Sequence, residues 1–203
     1  FHHSIERDHE KNYWVPMHFH PKKVTAGFDE AAGLSLQYFM DDGIMKISDN
    51  GKVLFHKSVM QIFIENDLGH LIFPGHAEVA YDPIHINDIQ PVKTDGLYYK
   101  KGDVFLSLRN LSMIVLYRPD SNKILWYKKY PWKYQHDVDI LDENRISVFN
   151  NKNLIHYPRI VGNEESSPKT NNVLIYDFEK NKIFNNHEKI FKKFDIRTDL
   201  EGQ

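Results

Sequence analysis

Three times along the chain, an apolar and largely β-branched run meets a polar turn and then a second apolar run. The first is Ile44-Met45-Lys46-Ile47, the turn Ser48-Asp49-Asn50-Gly51-Lys52, and Val53-Leu54-Phe55. The second is Ile114-Val115-Leu116-Tyr117, a turn from Arg118 to Lys123, and Ile124-Leu125-Trp126-Tyr127. The third is Val173-Leu174-Ile175-Tyr176, a turn from Asp177 to Lys182, and Ile183-Phe184. Such runs around Asp/Asn/Gly/Lys turns predict β-hairpins. Ahead of each hairpin the pattern predicts one further strand, most clearly Val104-Phe105-Leu106-Ser107-Leu108 and Ile146-Ser147-Val148-Phe149. Before that strand comes a segment opened by histidine: His3-Ser4-Ile5-Glu6, His85-Ile86-Asn87-Asp88-Ile89, and Gln135-His136-Asp137-Val138-Asp139-Ile140. Four strands per unit is the size of a propeller blade, and equivalent positions of successive blades face a common axis.

His136 follows His85 by 51 positions, a blade's length, whereas His85 follows His3 by 82. The extra length of the first unit is expected between Lys57 and Pro83. There, Ser58 to Asn66 reads as a short helix with Ser58 as its cap, and the rest through His76 reads as loop. Tyr157 to Asn172, rich in Gly, Ser, Pro and Asn, reads as an exposed excursion. Three blades do not close a ring, and Phe1 and Gln203 fall inside patterned segments. The expectation is therefore an all-β chain: one β-propeller domain over residues 1–203, incomplete at both ends, with about three four-stranded blades in view.

Composition narrows the partners more than the fold. The 203 residues suit one domain with an ample core. A formal charge of -2 gives no general attraction to nucleic acid or an anionic membrane. The 11 Tyr and 13 Phe favour strands. With no cysteine there is neither a disulfide framework nor thiolate chemistry. No apolar run approaches the roughly 20 residues of a membrane-spanning helix, so stable membrane insertion is not expected. Oligomeric state is not legible.

If the three histidine segments are equivalent, one cavity receives imidazoles from distant parts of the chain. Arg109 ends an apolar strand in Ser107-Leu108-Arg109-Asn110, where burial is costly without an anionic partner. Several imidazoles beside one guanidinium suit a tetrahedral oxyanion. The arginine brings fixed donors, and the imidazoles bring a proton shuttle and a possible nucleophile. The plainer alternatives are structural histidines and an Arg109 salt bridge to Asp88 or Asp137. His18-Phe19-His20 places two imidazoles on one strand face, yet a surface strand or loop explains it better than a metal site. A metal hydrolase built on His3, His85 and His136 is disfavoured by the arginine's charge. Trp14, Trp126 and Trp132 read as packing residues, with Trp132 and Tyr134 as alternative borders of an aromatic substrate. Lys189 to Lys193 reads as a solvated face.

His85-Ile86-Asn87-Asp88-Ile89, Leu106 to Ser112, Trp126 and Gln135-His136-Asp137 stand in the order seen in arylsulfotransferase-like proteins. Phe1-His2-His3-Ser4-Ile5 and Ile196 to Gly202 also match that family, so the resemblance spans nearly the whole chain. It implies a six-bladed β-propeller that moves a sulfuryl group from an aryl sulfate to a phenol through a histidine, with no cofactor and no resident metal. By motif, His136 becomes the nucleophile, Arg109 the stabilising arginine, and His85 and His3 the supporting histidines, with His2 as the alternative to His3. Asn87 and Asn110 are expected to bind substrate. The resemblance also implies action outside the cytoplasm. The competing expectation is a non-catalytic propeller that holds a partner or an anionic ligand in the same cavity.

Overall fold

The computed structural model describes residues 3–19, 40–72, 82–151 and 171–196. Twelve strands form three four-stranded antiparallel sheets, each a meander in chain order. The first sheet contains β1 (Glu6–Arg7), β2 (Tyr13–Phe19), β3 (Asp41–Ile47) and β4 (Val53–Ser58). The second contains β5 (Ile86–Pro91), β6 (Val104–Leu108), β7 (Met113–Arg118) and β8 (Lys123–Lys128). The third contains β9 (His136–Ile140), β10 (Arg145–Asn150), β11 (Asn172–Asp177) and β12 (Lys182–Phe184). All three predicted hairpins are present, as β3–β4, β7–β8 and β11–β12. Among the described residues the sheets do not close into a ring.

The middle sheet shows why the sequence reads as continuous apolar runs there. Strand residues alternate between faces, and both faces of this sheet are covered. Val104, Leu106, Leu108, Met113, Val115 and Tyr117 join Trp14 and Ile44 in a core against the first sheet. Phe105, Ile114 and Leu116 turn the other way and join Val138, Ile146, Val148 and Tyr176 of the third. Each fully buried side chain of this size contributes about 1.5–3 kcal/mol. Trp126 packs on Tyr176 and Phe178 at ring separations of 5.0 and 4.8 Å, bridging the second and third sheets. Trp132 is buried and donates from its indole nitrogen to the Lys128 carbonyl, so it is a packing residue and not a substrate border.

Helix α1 (Val59–Glu65) lies where the sequence predicts it, and the Ser58 hydroxyl accepts from the Gln61 amide as its cap. Its Val59, Met60, Ile62 and Phe63 enter the first core. A short 3-10 turn (Gly69–Leu71) follows. The extra length of the first unit is divided, because positions 20–40 also separate β2 from β3. Lys189 to Lys193 belong to a short exposed helix, α2 (Glu188–Lys193). No helix among the described residues is long and apolar enough to cross a membrane. The expected loop around His76 and most of the excursion from Tyr157 lie outside the described residues.

Successive sheets are tied by side chains that bond the first strands of the second and third sheets, β5 and β9, to their neighbours. The Val138 amide donates to Asp88 Oδ2 at 2.8 Å, and Asn87 Nδ2 donates to the Gln135 carbonyl at 2.8 Å. On the other side, the Ile86 amide donates to Asp42 Oδ2 and the Ile89 amide to Ser4 Oγ. These bonds align the N-terminal ends of β5 and β9 with the segment before β1.

Candidate active site

His3, His85 and His136 come from three different sheets and meet where those segments converge. The His3 ring lies 5.1 Å from His85, edge to face, and 6.5 Å from His136. A cavity of about 290 Å³ runs beside His3 and His136, lined also by Ser4, Asn87, Asp88 and Asp137 among others, with His85 outside its lining. On the far side of His3 a second cavity, about 350 Å³, is walled by Pro16, Met17, Met45 and Ile86. His2 lies outside the described residues.

The three histidines are not in equivalent register. In the second sheet Ile86 pairs with Leu108 and Asp88 with Ser107, so Asn87 is the extra residue of a bulge. In the third sheet His136 pairs with Phe149 and Val138 with Val148, which makes Asp137 the extra residue. His136 thus occupies the position of Ile86, and Gln135 that of His85. Bulges of this kind re-aim neighbouring side chains and gather at active sites. His85 and Asp137 both take left-handed backbone conformations, each at φ 49°.

His136 is buried, at 6% exposure. Burial chiefly, and then the positive charge of Arg109, push its pKa down to about 4; the charge of His85 acts the same way, against a bond to the Tyr134 carbonyl that pulls it up. The ring is therefore neutral near pH 7. Nδ1 lies 3.1 Å from the Tyr134 carbonyl oxygen. When Nδ1 carries the proton and donates it there, the lone pair is on Nε2.

Arg109 is buried at 8% exposure and no carboxylate of the described residues pairs with it, so the expected alternative of a salt bridge to Asp88 or Asp137 is not formed. Burial lowers its pKa, only partly offset by Tyr134 and Asp82. Its guanidinium lies over the Tyr134 ring at 5.2 Å, and Nη1 donates to Asn110 Oδ1. Its buried Nε has no hydrogen-bond partner among the described residues. A buried, permanently charged fork with a donor unspent is a binding element for an anion.

The other candidates take supporting places. His85 Nδ1 faces Asp82 at 2.5 Å. Burial pushes the Asp82 carboxyl up, yet the hydrogen bond and charge of His85 more than offset this and leave it below its usual value. Asn110 uses both ends of its amide within the protein, on Arg109 and on the Asp82 carbonyl. Asn87 spends its Nδ2 on Gln135, while its buried Oδ1 has no partner among the described residues. Asp88 and Asp137 serve the sheet seam and the bulge. His18 is half exposed on β2 and forms a 2.6 Å ion pair with buried Asp42. His20 lies outside the described residues. Among the described residues, no three His, Asp or Glu side chains converge as metal ligands.

Sequence reasoning missed Asp82, Gln135 and a group of buried asparagines. Gln135 Nε2 donates to Ser107 Oγ and the Met113 carbonyl, which locks the residue before His136 to the second sheet. Asn150 Oδ1 accepts from the Lys133 amide, and Asn151 Nδ2 donates to the Tyr134 carbonyl. The repeated doublets Asn150-Asn151 and Asn171-Asn172 were the available signal, and β10–β11 pairing sets Asn150 opposite Asn172.

A family model described as arylsulfotransferase (ASST) matches residues 1–203. No curated protein matches the chain. With that match running from the first residue to the last, over the histidine and arginine positions described above, the chain belongs to the arylsulfotransferase family.

Proposed function

We propose that the protein moves a sulfuryl group from an aryl sulfate ester to a phenolic acceptor through a covalent intermediate on His136. The observation that carries this reading is a neutral, buried His136, braced at Nδ1, beside a buried Arg109 that has no carboxylate partner. A neutral imidazole is the nucleophilic form, and a guanidinium whose Nε is unspent suits the equatorial oxygens of the transferring group.

In the first step Nε2 of His136 attacks sulfur in line. The N–S bond forms as the bond from sulfur to the aryl oxygen breaks, and the phenolate takes a proton from a neighbouring protonated imidazole, His85 or His3. The Asp82 carboxylate holds His85 at Nδ1 and fixes its ring beside His3. In the second step the acceptor phenol returns its proton to that imidazole as its oxygen attacks sulfur, and the N–S bond breaks to restore neutral His136. Arg109, with His85, holds the sulfuryl oxygens in both steps, and Asn87 supports the site from its bulge. The cavity that His3 shares with Pro16, Met17, Met45 and Ile86 offers an apolar wall for an aryl ring, with His18 at its edge held by Asp42. The three sheets act as consecutive propeller blades whose first strands line the site.

The test is to incubate the full-length protein with an aryl sulfate labelled with ³⁵S and isolate the protein. Label on the wild type and none on His136→Ala, with transfer lost in that variant, is the expected result. Full transfer by His136→Ala refutes the assignment. Binding of the aryl sulfate without any label or turnover in the wild type points instead to an anion-binding protein.

A further inference from the structure

His136 Nδ1 has two polar neighbours of opposite character at the same distance. The Tyr134 carbonyl oxygen, 3.1 Å away, only accepts. Asn151 Nδ2, also 3.1 Å away, only donates. The Asn151 amide is held from behind, because its Oδ1 accepts from Asn171 Nδ2 at 2.9 Å. Flipping Asn151 would set its NH2 against that donor. One proton of Asn151 Nδ2 goes to the Tyr134 carbonyl at 2.8 Å, which leaves the second for Nδ1. Both asparagines are fully buried, so water does not substitute for these bonds.

Nδ1 is therefore satisfied in two states. Protonated, it donates to Tyr134; unprotonated, it accepts from Asn151. Simple orientation of a nucleophile requires only the first state. The second matters once Nε2 carries a sulfuryl group, when the ring can release its Nδ1 proton to water through the cavity beside it and must take one back before transfer. With Nδ1 protonated, the group that leaves sulfur is neutral imidazole, and the N–S bond is labile. With Nδ1 unprotonated, the leaving group is imidazolate, a strong base, and the bond persists.

We propose that Asn151, held by Asn171, is a positioning residue that prolongs the life of the sulfuryl group on His136 by hydrogen-bonding Nδ1 in its unprotonated state. This rests on the transfer reading above. Removing the Asn151 amide leaves only an acceptor beside Nδ1, favours the protonated ring and hastens loss to water. In that loss a water oxygen bonds to sulfur, the N–S bond breaks with its electron pair on Nε2, and hydrogen sulfate and a proton depart.

The experiment labels the full-length protein with a ³⁵S aryl sulfate, removes the donor, and follows decay of protein-bound label across pH. One net hydrogen bond corresponds to roughly a five- to tenfold change, so label on Asn151→Ala decays about that much faster near neutral pH. Its pH profile of decay moves alkaline by up to about one unit. Asn151→Asp, whose carboxylate accepts from protonated Nδ1, moves the profile further the same way. Asn171→Ser, which keeps Asn151 but frees its amide, gives a smaller shift and serves if Asn151→Ala does not fold. Label on the wild type with unchanged decay in folded Asn151 or Asn171 variants overturns this inference alone. No label on the wild type overturns the transfer reading and this inference with it.

Discussion

Replacing Asp88 with asparagine should make the protein more stable at pH 8 and leave it nearly unchanged at pH 4. Asp88 is 2% exposed, and burial chiefly pushes its pKa from 3.8 up to about 7, with Asp137 and Glu6 adding to the rise. The Ser4 hydroxyl and the Val138 amide pull the other way without winning. A carboxyl whose folded pKa lies above its unfolded one favours folding fully below about pH 4, and that advantage is lost as pH rises through 7. At 1.36 kcal/mol per unit, a rise from 3.8 to about 7 corresponds to about 4 kcal/mol lost by pH 8. Asparagine keeps an oxygen for the Val138 amide, but it never ionises. Urea unfolding of both proteins at pH 4, 6 and 8 measures the difference, and the titration of His136, common to both, cancels from it. A gap that opens from near zero at pH 4 to a few kcal/mol in favour of Asp88→Asn at pH 8 supports the reasoning. A gap that is constant with pH, or that favours the wild type at pH 8, refutes it.

Arg109→Ala should lower kcat for sulfuryl transfer by about 10²–10³, and Arg109→Lys should recover only part of that loss because one ammonium replaces a planar fork; steady-state kinetics with an aryl sulfate checks both. Gly96→Ala should destabilise by about 1–3 kcal/mol, since the added Cβ would lie 2.8 Å from the Glu143 carbonyl oxygen of the third sheet, and a lowered urea midpoint reads it.

The hairpins were legible because β-branched apolar runs flank Asp/Asn/Gly/Lys turns, and α1 because Ser58 caps a run whose apolar face is buried. The four-strand unit followed from repetition. His3, His85, His136 and Arg109 were legible as a set, and they meet, because a repeat carries equivalent segments to one place. Their offset was not legible: Asn87 and Asp137 are ordinary strand residues in one dimension, and only the pairing of β5 with β6 and β9 with β10 makes them bulges. Asp82 was hidden because its role depends on the left-handed turn at His85. Asn151 and Asn171 were hidden for a different reason. They are 20 positions apart in sequence, and what joins them is the β10–β11 register that pairs Asn150 with Asn172.

The bonds between successive sheets, from Asp42 of β3 to Ile86 of β5 and from Asp88 of β5 to Val138 of β9, carry a consequence for biosynthesis. Each sheet can form by local pairing, but no sheet owns more than one of the three imidazoles. A nascent chain that has built its first and second sheets holds His3, His85 and Arg109 and still lacks the neutral ring of the third. On the transfer reading proposed above, docking of β9 is the event that brings His136 beside His3, His85 and Arg109, so sulfuryl transfer is expected only after that seam has closed.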